Sequence, residues 1–178
     1  MRTVESQARA LLSELVDFCV EHGGQWCYAG WPRELLEAYL TEMARRRTMI
    51  WSRGLRTGHA DGAIAGVGVA WRCWEWELRA AAKDGRHAVD AASFDLQGDS
   101  LFFADWVCRD RRVVVGLLRG LEQMWPEWRD LKWWTFRRGE LRRLNGTRMA
   151  RRLDPRAVED RKWRIPGEVR SWGNMGRE

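Results

Sequence analysis

Residues 101–125 read LFFADWVCRDRRVVVGLLRGLEQMW, and the reading of this stretch decides the fold. Leu101 to Val107 has the aromatic and β-branched content of a buried strand. The pattern breaks at Cys108-Arg109-Asp110 and restarts with a longer period. Val113, Val114, Leu117, Leu118, Leu121, Met124 and Trp125 recur at helical spacing, so the stretch predicts strand, turn and helix. Asp110 suits the N-cap, and Pro126 cannot continue the helix. Two features have the look of chemistry: Asp105 inside an apolar strand, and Arg109, Arg111 and Arg112 around the helix start.

Working outward, Val4, Ala8, Leu11, Leu12, Leu15, Val16 and Cys19 form one stripe of a first helix, which stops at Gly23-Gly24. A second helix opens with Pro32 at its first position and buries Leu35, Leu36, Tyr39, Leu40 and Met43. Arg45, Arg46 and Arg47 close it as a solvated end that suits the helix dipole. Thr48 to Ser52 reads as a strand, followed by a polar turn and a second strand from Ala63 to Trp71. In that strand Ile64, Gly66 and Gly68 alternate with Ala65, Val67 and Val69, the mark of a strand closely approached on one face. Trp74 and Trp76 alternate with Glu75 and Glu77, which extends the strand, and residues 72–100 then read as a hairpin arm or a functional loop. Beyond Pro126, Leu131 to Arg137 is a strand, Arg138-Gly139-Glu140 a turn, and Leu141 to Leu153 a short strand followed by a basic helix. From Pro166 a loose tail is expected. The order predicts an α/β (α+β) domain over residues 1–153, a mixed central sheet with packed helices, and a basic C-terminal extension over 154–178.

The chain has 178 residues, enough for one domain with a core. No apolar run is long enough for a membrane span. The N-terminal MRTVESQARALLSEL places Glu5 and Glu14 among its leucines, unlike a secretory signal, and a cytoplasmic location is the expectation. Cys19, Cys27, Cys73 and Cys108 form no C-x-x-C pair and have no His at ligand spacing, so no metal site is predicted. The charge is uneven. From Arg137 onward 13 basic residues stand against 6 acidic ones, a net of +7, while the 136 residues before them have a net of −1.

The segment from Trp31-Pro32 through Trp71, with Phe103-Ala104-Asp105-Trp106-Val107 and the helix after it, resembles the toxin-activating lysine acyltransferases of the N-acetyltransferase (GNAT-like) fold group. The resemblance covers roughly residues 28–137 and rests on element order, the Trp-Pro helix opening and the Asp-Trp pair. It implies a GNAT-like sheet and transfer of an acyl group to an amine from a thioester donor, coenzyme A or acyl carrier protein, with no permanently bound cofactor. The family's catalytic Asp falls on Asp105. Its catalytic His falls on Tyr28, with His22 further upstream. The turn before the central helix contains no glycine.

Asp105 as general base or orienting group, with Tyr28 and His22, is therefore the candidate catalytic set. Arg109, Arg111 and Arg112 are candidates for holding a donor's phosphates, because cations at a helix N-terminus oppose its dipole and an anion relieves them. Trp106 and Trp71 are the candidate walls of an acyl slot. Cys108 beside arginines is a weaker nucleophile candidate, and His59 and His87 fall in polar turns. The alternative is a non-catalytic binding or assembly module, such as a phage-encoded virion subunit. In that reading Arg137, Arg138, Arg142, Arg143, Arg148, Arg151 and Arg152, with Trp133 and Trp134 upstream, would contact nucleic acid or a partner subunit.

Overall fold

Strand β3 (Ser100–Cys108) runs through the middle of the sheet, antiparallel to β2 (Ile64–Cys73) and parallel to β4 (Lys132–Arg137). A parallel neighbour needs a crossover, and helix α4 (Val113–Met124) supplies it. The computed structural model describes residues 4–23, 28–53, 62–85, 97–109, 113–145 and 169–171. Before β2 come α1 (Val4–Gly23), α2 (Arg33–Arg45) and β1 (Met49–Arg53). Among the described residues the sheet has six strands in the order β5-β4-β3-β2-β1-β6, with β5 spanning Glu140–Leu144 and β6 spanning Val169–Ser171. This is an α+β architecture, as the element order predicts.

Helices α1, α2 and α3 (Glu75–Ala81) cover one face, where Leu15, Leu36, Leu40, Met43, Trp71, Leu78, Phe102 and Trp134 are buried together. The other face carries α4, whose Val113, Leu117, Leu118 and Leu121 pack with Phe103, Trp128 and Trp133. The glycines of β2 make this second layer fit. A Cβ on Gly66 would lie 2.4 Å from Cγ1 of Val113, and one on Gly68 would lie 3.1 Å from Cγ1 of Ile50. Gly66 thus records helix α4 lying close to the strand, while the space at Gly68 is taken by Ile50 of β1 and Trp106 of β3.

Four expectations need correction. The strand does not continue through Trp74 and Trp76. β2 ends at Cys73, and α3 begins at Glu75 because its backbone N–H is capped by the Asp99 carboxylate at 3.1 Å, while Leu78 anchors it in the core. Leu35 is 51% exposed, and α2 buries Leu36, Leu40, Met43 and Ala44 instead. Pro32 is the N-cap of α2, one residue before its first turn. The tail is not loose throughout, since Val169–Ser171 pairs antiparallel with β1. In the Leu141–Leu153 stretch the strand belongs to Glu140–Leu144; the basic helix lies outside the described residues. Among the described residues, no helix is long and apolar enough to cross a membrane.

Candidate functional site

The site is built around an irregularity in β3. Val69 pairs with Asp105 and Ala70 with Phe103, so Ala104 is an extra residue with no opposite number on β2. A bulge of this kind puts two successive side chains on one face. Ala104 packs into the α1–α3 layer, Asp105 meets α2 on the same side, and Trp106 turns to the α4 side. Alongside, the β3–β4 ladder covers Ser100 to Phe103 and ends with the Phe103–Thr135 pair. Asp105 therefore stands where two parallel strands stop pairing.

Asp105 is 4% exposed, and the phenolic hydroxyl of Tyr39 donates a hydrogen bond to its Oδ2 at 2.7 Å. A buried carboxylate needs such donors to offset its lost hydration. Tyr39 also belongs to an aromatic cluster. Its ring centroid lies 5.4 Å from that of Trp31 and 6.2 Å from that of Tyr28, and Tyr28 and Trp31 are 5.5 Å apart. Local backbone bonds build this cluster: Tyr28 N–H donates to Gly23 O at the end of α1, and Trp31 N–H donates to Tyr28 O. The turn thus folds the Tyr28 ring against Gly23 and feeds Pro32 into α2, which carries Tyr39 one face onward to β3.

The structure brings Tyr28 and Asp105 into one neighbourhood, linked through Tyr39. His22 instead packs its ring on Phe18 at 4.7 Å and faces Glu21 at 3.5 Å. Trp71 and Trp106 do not wall a common slot. Trp71 is wholly buried against Phe102 on the α1–α3 side, and Trp106 packs on Phe103 on the α4 side, because the bulge reverses the facing of β3 between them. Arg109 is exposed at the end of β3, its backbone N–H bonded to Ala65 O, while Arg111, Arg112 and the Asp110 cap lie outside the described residues. So do Cys27, His59, His87, Arg148, Arg151 and Arg152. Cys108 is partly buried in the α4 layer. Arg137, Arg138, Arg142 and Arg143 are exposed on the β4–β5 hairpin. Trp133 and Trp134 are only 1% and 4% exposed and serve the core, so they offer no stacking surface. Among the described residues, no cluster of His, Cys, Asp and Glu could hold a metal ion.

The residues missed from sequence are Tyr39 and Trp31. Tyr39 was legible as part of a buried stripe; the available signal was that a buried phenol needs a hydrogen-bond partner. No protein-family profile, curated protein or solved structure matches the chain.

Proposed function

We propose that the chain is a GNAT-like acyltransferase that moves an acyl group from a thioester donor to an amine. The observation that carries this reading is the Asp105 carboxylate, held by Tyr39 at the bulge where the β3–β4 ladder ends. A parting of parallel strands beside a crossover helix is where open α/β sheets receive ligands. Acyl transfer needs a base at that point. A neutral amine attacks the thioester carbonyl, Asp105 takes a proton from its nitrogen, and the C–N bond forms. The C–S bond then breaks, and the thiolate leaves with the proton that Asp105 held. Tyr39 positions the carboxylate, and Tyr28 and Trp31 complete the wall on the acceptor side. Arg109, with its sequence neighbours Arg111 and Arg112, is assigned to the phosphates of coenzyme A or of an acyl carrier arm.

The test is release of free thiol from acetyl-coenzyme A and from acyl carrier thioesters in the presence of a lysine-containing peptide, with amide formation read by mass. Amine-dependent release is expected, reduced about 100-fold or more by Asp105→Asn in protein that keeps its melting temperature. Thiol release that is absent with every donor, or unchanged in Asp105→Asn, overturns the reading.

A further inference from the structure

Helix α3 has an unusual surface. Trp76 is 66% exposed and Trp74, its N-cap, 41% exposed. Two indoles left in water on one short helix forgo burial that large aromatic side chains normally obtain. One helical turn after Trp76, at spacing that shares its face, stands Arg79. The Arg79 guanidinium lies 4.8 Å over the ring of Trp134, and across the β4–β5 pair the residue opposite Trp134 is Arg143, which is exposed. Buried Trp134 thus sets Arg79 and Arg143 side by side, and the exposed strip runs Trp76, Arg79 and Arg143. At its far end the hairpin turn adds exposed Arg138, while Arg137 and Arg142 fall on the opposite face of the sheet.

Two of the acids nearby have partners, while Glu77, next to Trp76, has a buried carboxylate oxygen with no hydrogen-bond partner. Glu75 pairs with Arg79 and with Lys132, and Glu140 with Arg142. Arg143, Arg137 and Arg138 lie beyond them at the sheet edge. Among the described residues β5 is the edge strand on that side, and Arg142 and Arg143 project from opposite faces of its rim.

We infer that this surface binds single-stranded nucleic acid, with bases stacked on Trp76 and Trp74 and phosphates held by Arg79, Arg143 and Arg138 at the hairpin turn. Stacking on an exposed indole requires a base that is free of its own duplex, which favours a single strand. Planar guanidinium groups suit phosphate oxygens better than point charges do. The site shares no residue with the Asp105 cluster and stands apart from the acyl-transfer reading.

The experiment is fluorescence anisotropy of a labelled thirty-nucleotide oligo(dT) with the full chain, repeated over a range of salt. Binding that weakens with salt is expected, with preference over duplex DNA of equal length and over poly-glutamate. Trp76→Ala should weaken it about tenfold, while Trp76→Phe, which keeps an aromatic face, should retain most of the affinity. Arg143→Ala should lower the slope of log K against log salt by about 0.7. No binding at low salt, equal binding to duplex or to poly-glutamate, or a Trp76→Ala variant that binds like the parent would each overturn the inference.

Discussion

Tyr39 and Asp105, 66 residues apart in the chain, meet through a 2.7 Å hydrogen bond that ties α2 to the bulge in β3. A hydrogen bond to an ionised group contributes about 1.5–3 kcal/mol, and stranding one buried partner costs a similar amount. The two side chains should therefore be coupled. In a double-mutant cycle of Tyr39→Phe and Asp105→Ala, chemical denaturation is expected to give a coupling of about 1–3 kcal/mol. Additive single losses would mean that the bond contributes nothing to the fold.

A second pair tests how α4 sits on the sheet. Gly66→Ala would put a methyl group 2.4 Å from Val113 Cγ1 and 3.3 Å from Leu117 Cδ1. Overpacking of this kind costs about 1–3 kcal/mol. Adding Val113→Ala removes the clashing atom, and the double variant should recover much of the loss that Gly66→Ala causes. Melting temperatures of the three variants decide it, and a harmless Gly66→Ala would place α4 further from β2.

These two contacts mark what the sequence could and could not convey. The central strand-turn-helix was legible because its apolar spacing changes from the strand period to the helical one at Cys108. The glycine alternation in β2 was legible because a missing side chain on one face implies a close neighbour. The start of α3 was not, because alternating Trp74, Glu75, Trp76 and Glu77 imitates a strand. The cap that makes it a helix comes from Asp99, 24 residues later. Nor was the facing of Asp105, since nothing in Phe103-Ala104-Asp105-Trp106 announces that Ala104 is an extra residue. Trp71 and Trp106, the candidate walls of one slot, fall on opposite faces for that reason.

The charge network at the foot of the sheet predicts a pH dependence. Lys132 Nζ lies 2.6 Å from Asp99 and 2.8 Å from Glu75, joining β4 to the start of β3 and to α3. Hydrogen bonds from Lys132 and then Arg79 hold the Glu75 carboxyl below its ordinary value of 4.5. Burial pushes Asp99 up, but the hydrogen bonds from Lys132, the Glu75 backbone and Ser100 outweigh it and leave its carboxyl below 3.8. The same bonds, from Asp99 and then Glu75, raise Lys132 above 10.5. For the lowered carboxyls, the stabilisation is present above the unfolded values and is lost as pH falls through the folded ones. For Lys132 it is present below 10.5 and is lost as pH rises through its raised folded value. Lys132→Met should therefore flatten both the acid and the alkaline limb of stability against pH. Unchanged limbs would show that the exposed network is screened by water.

The end of α2 offers a change that should stabilise. Arg47 has φ of 57°, the left-handed region that glycine usually fills after a helix. Its N–H bonds to Ala44 O at 3.0 Å, and the next residue, Thr48, bonds to Met43 O at 3.0 Å, so the backbone is fixed in this shape. Arg45 and Arg46 both bond to Glu42, which is drawn down to about 2 by those two arginines, Arg45 first. The helix end thus keeps its cations close to the dipole's negative pole without Arg47. A side chain in the left-handed region costs about 1–2 kcal/mol, and the extra freedom of glycine in the unfolded chain returns part of that. Arg47→Gly is accordingly expected to raise stability by about 0.5–1 kcal/mol, read as a higher denaturation midpoint at unchanged slope. A lower midpoint would mean that the Arg47 side chain contributes more to this corner than its backbone strain takes away.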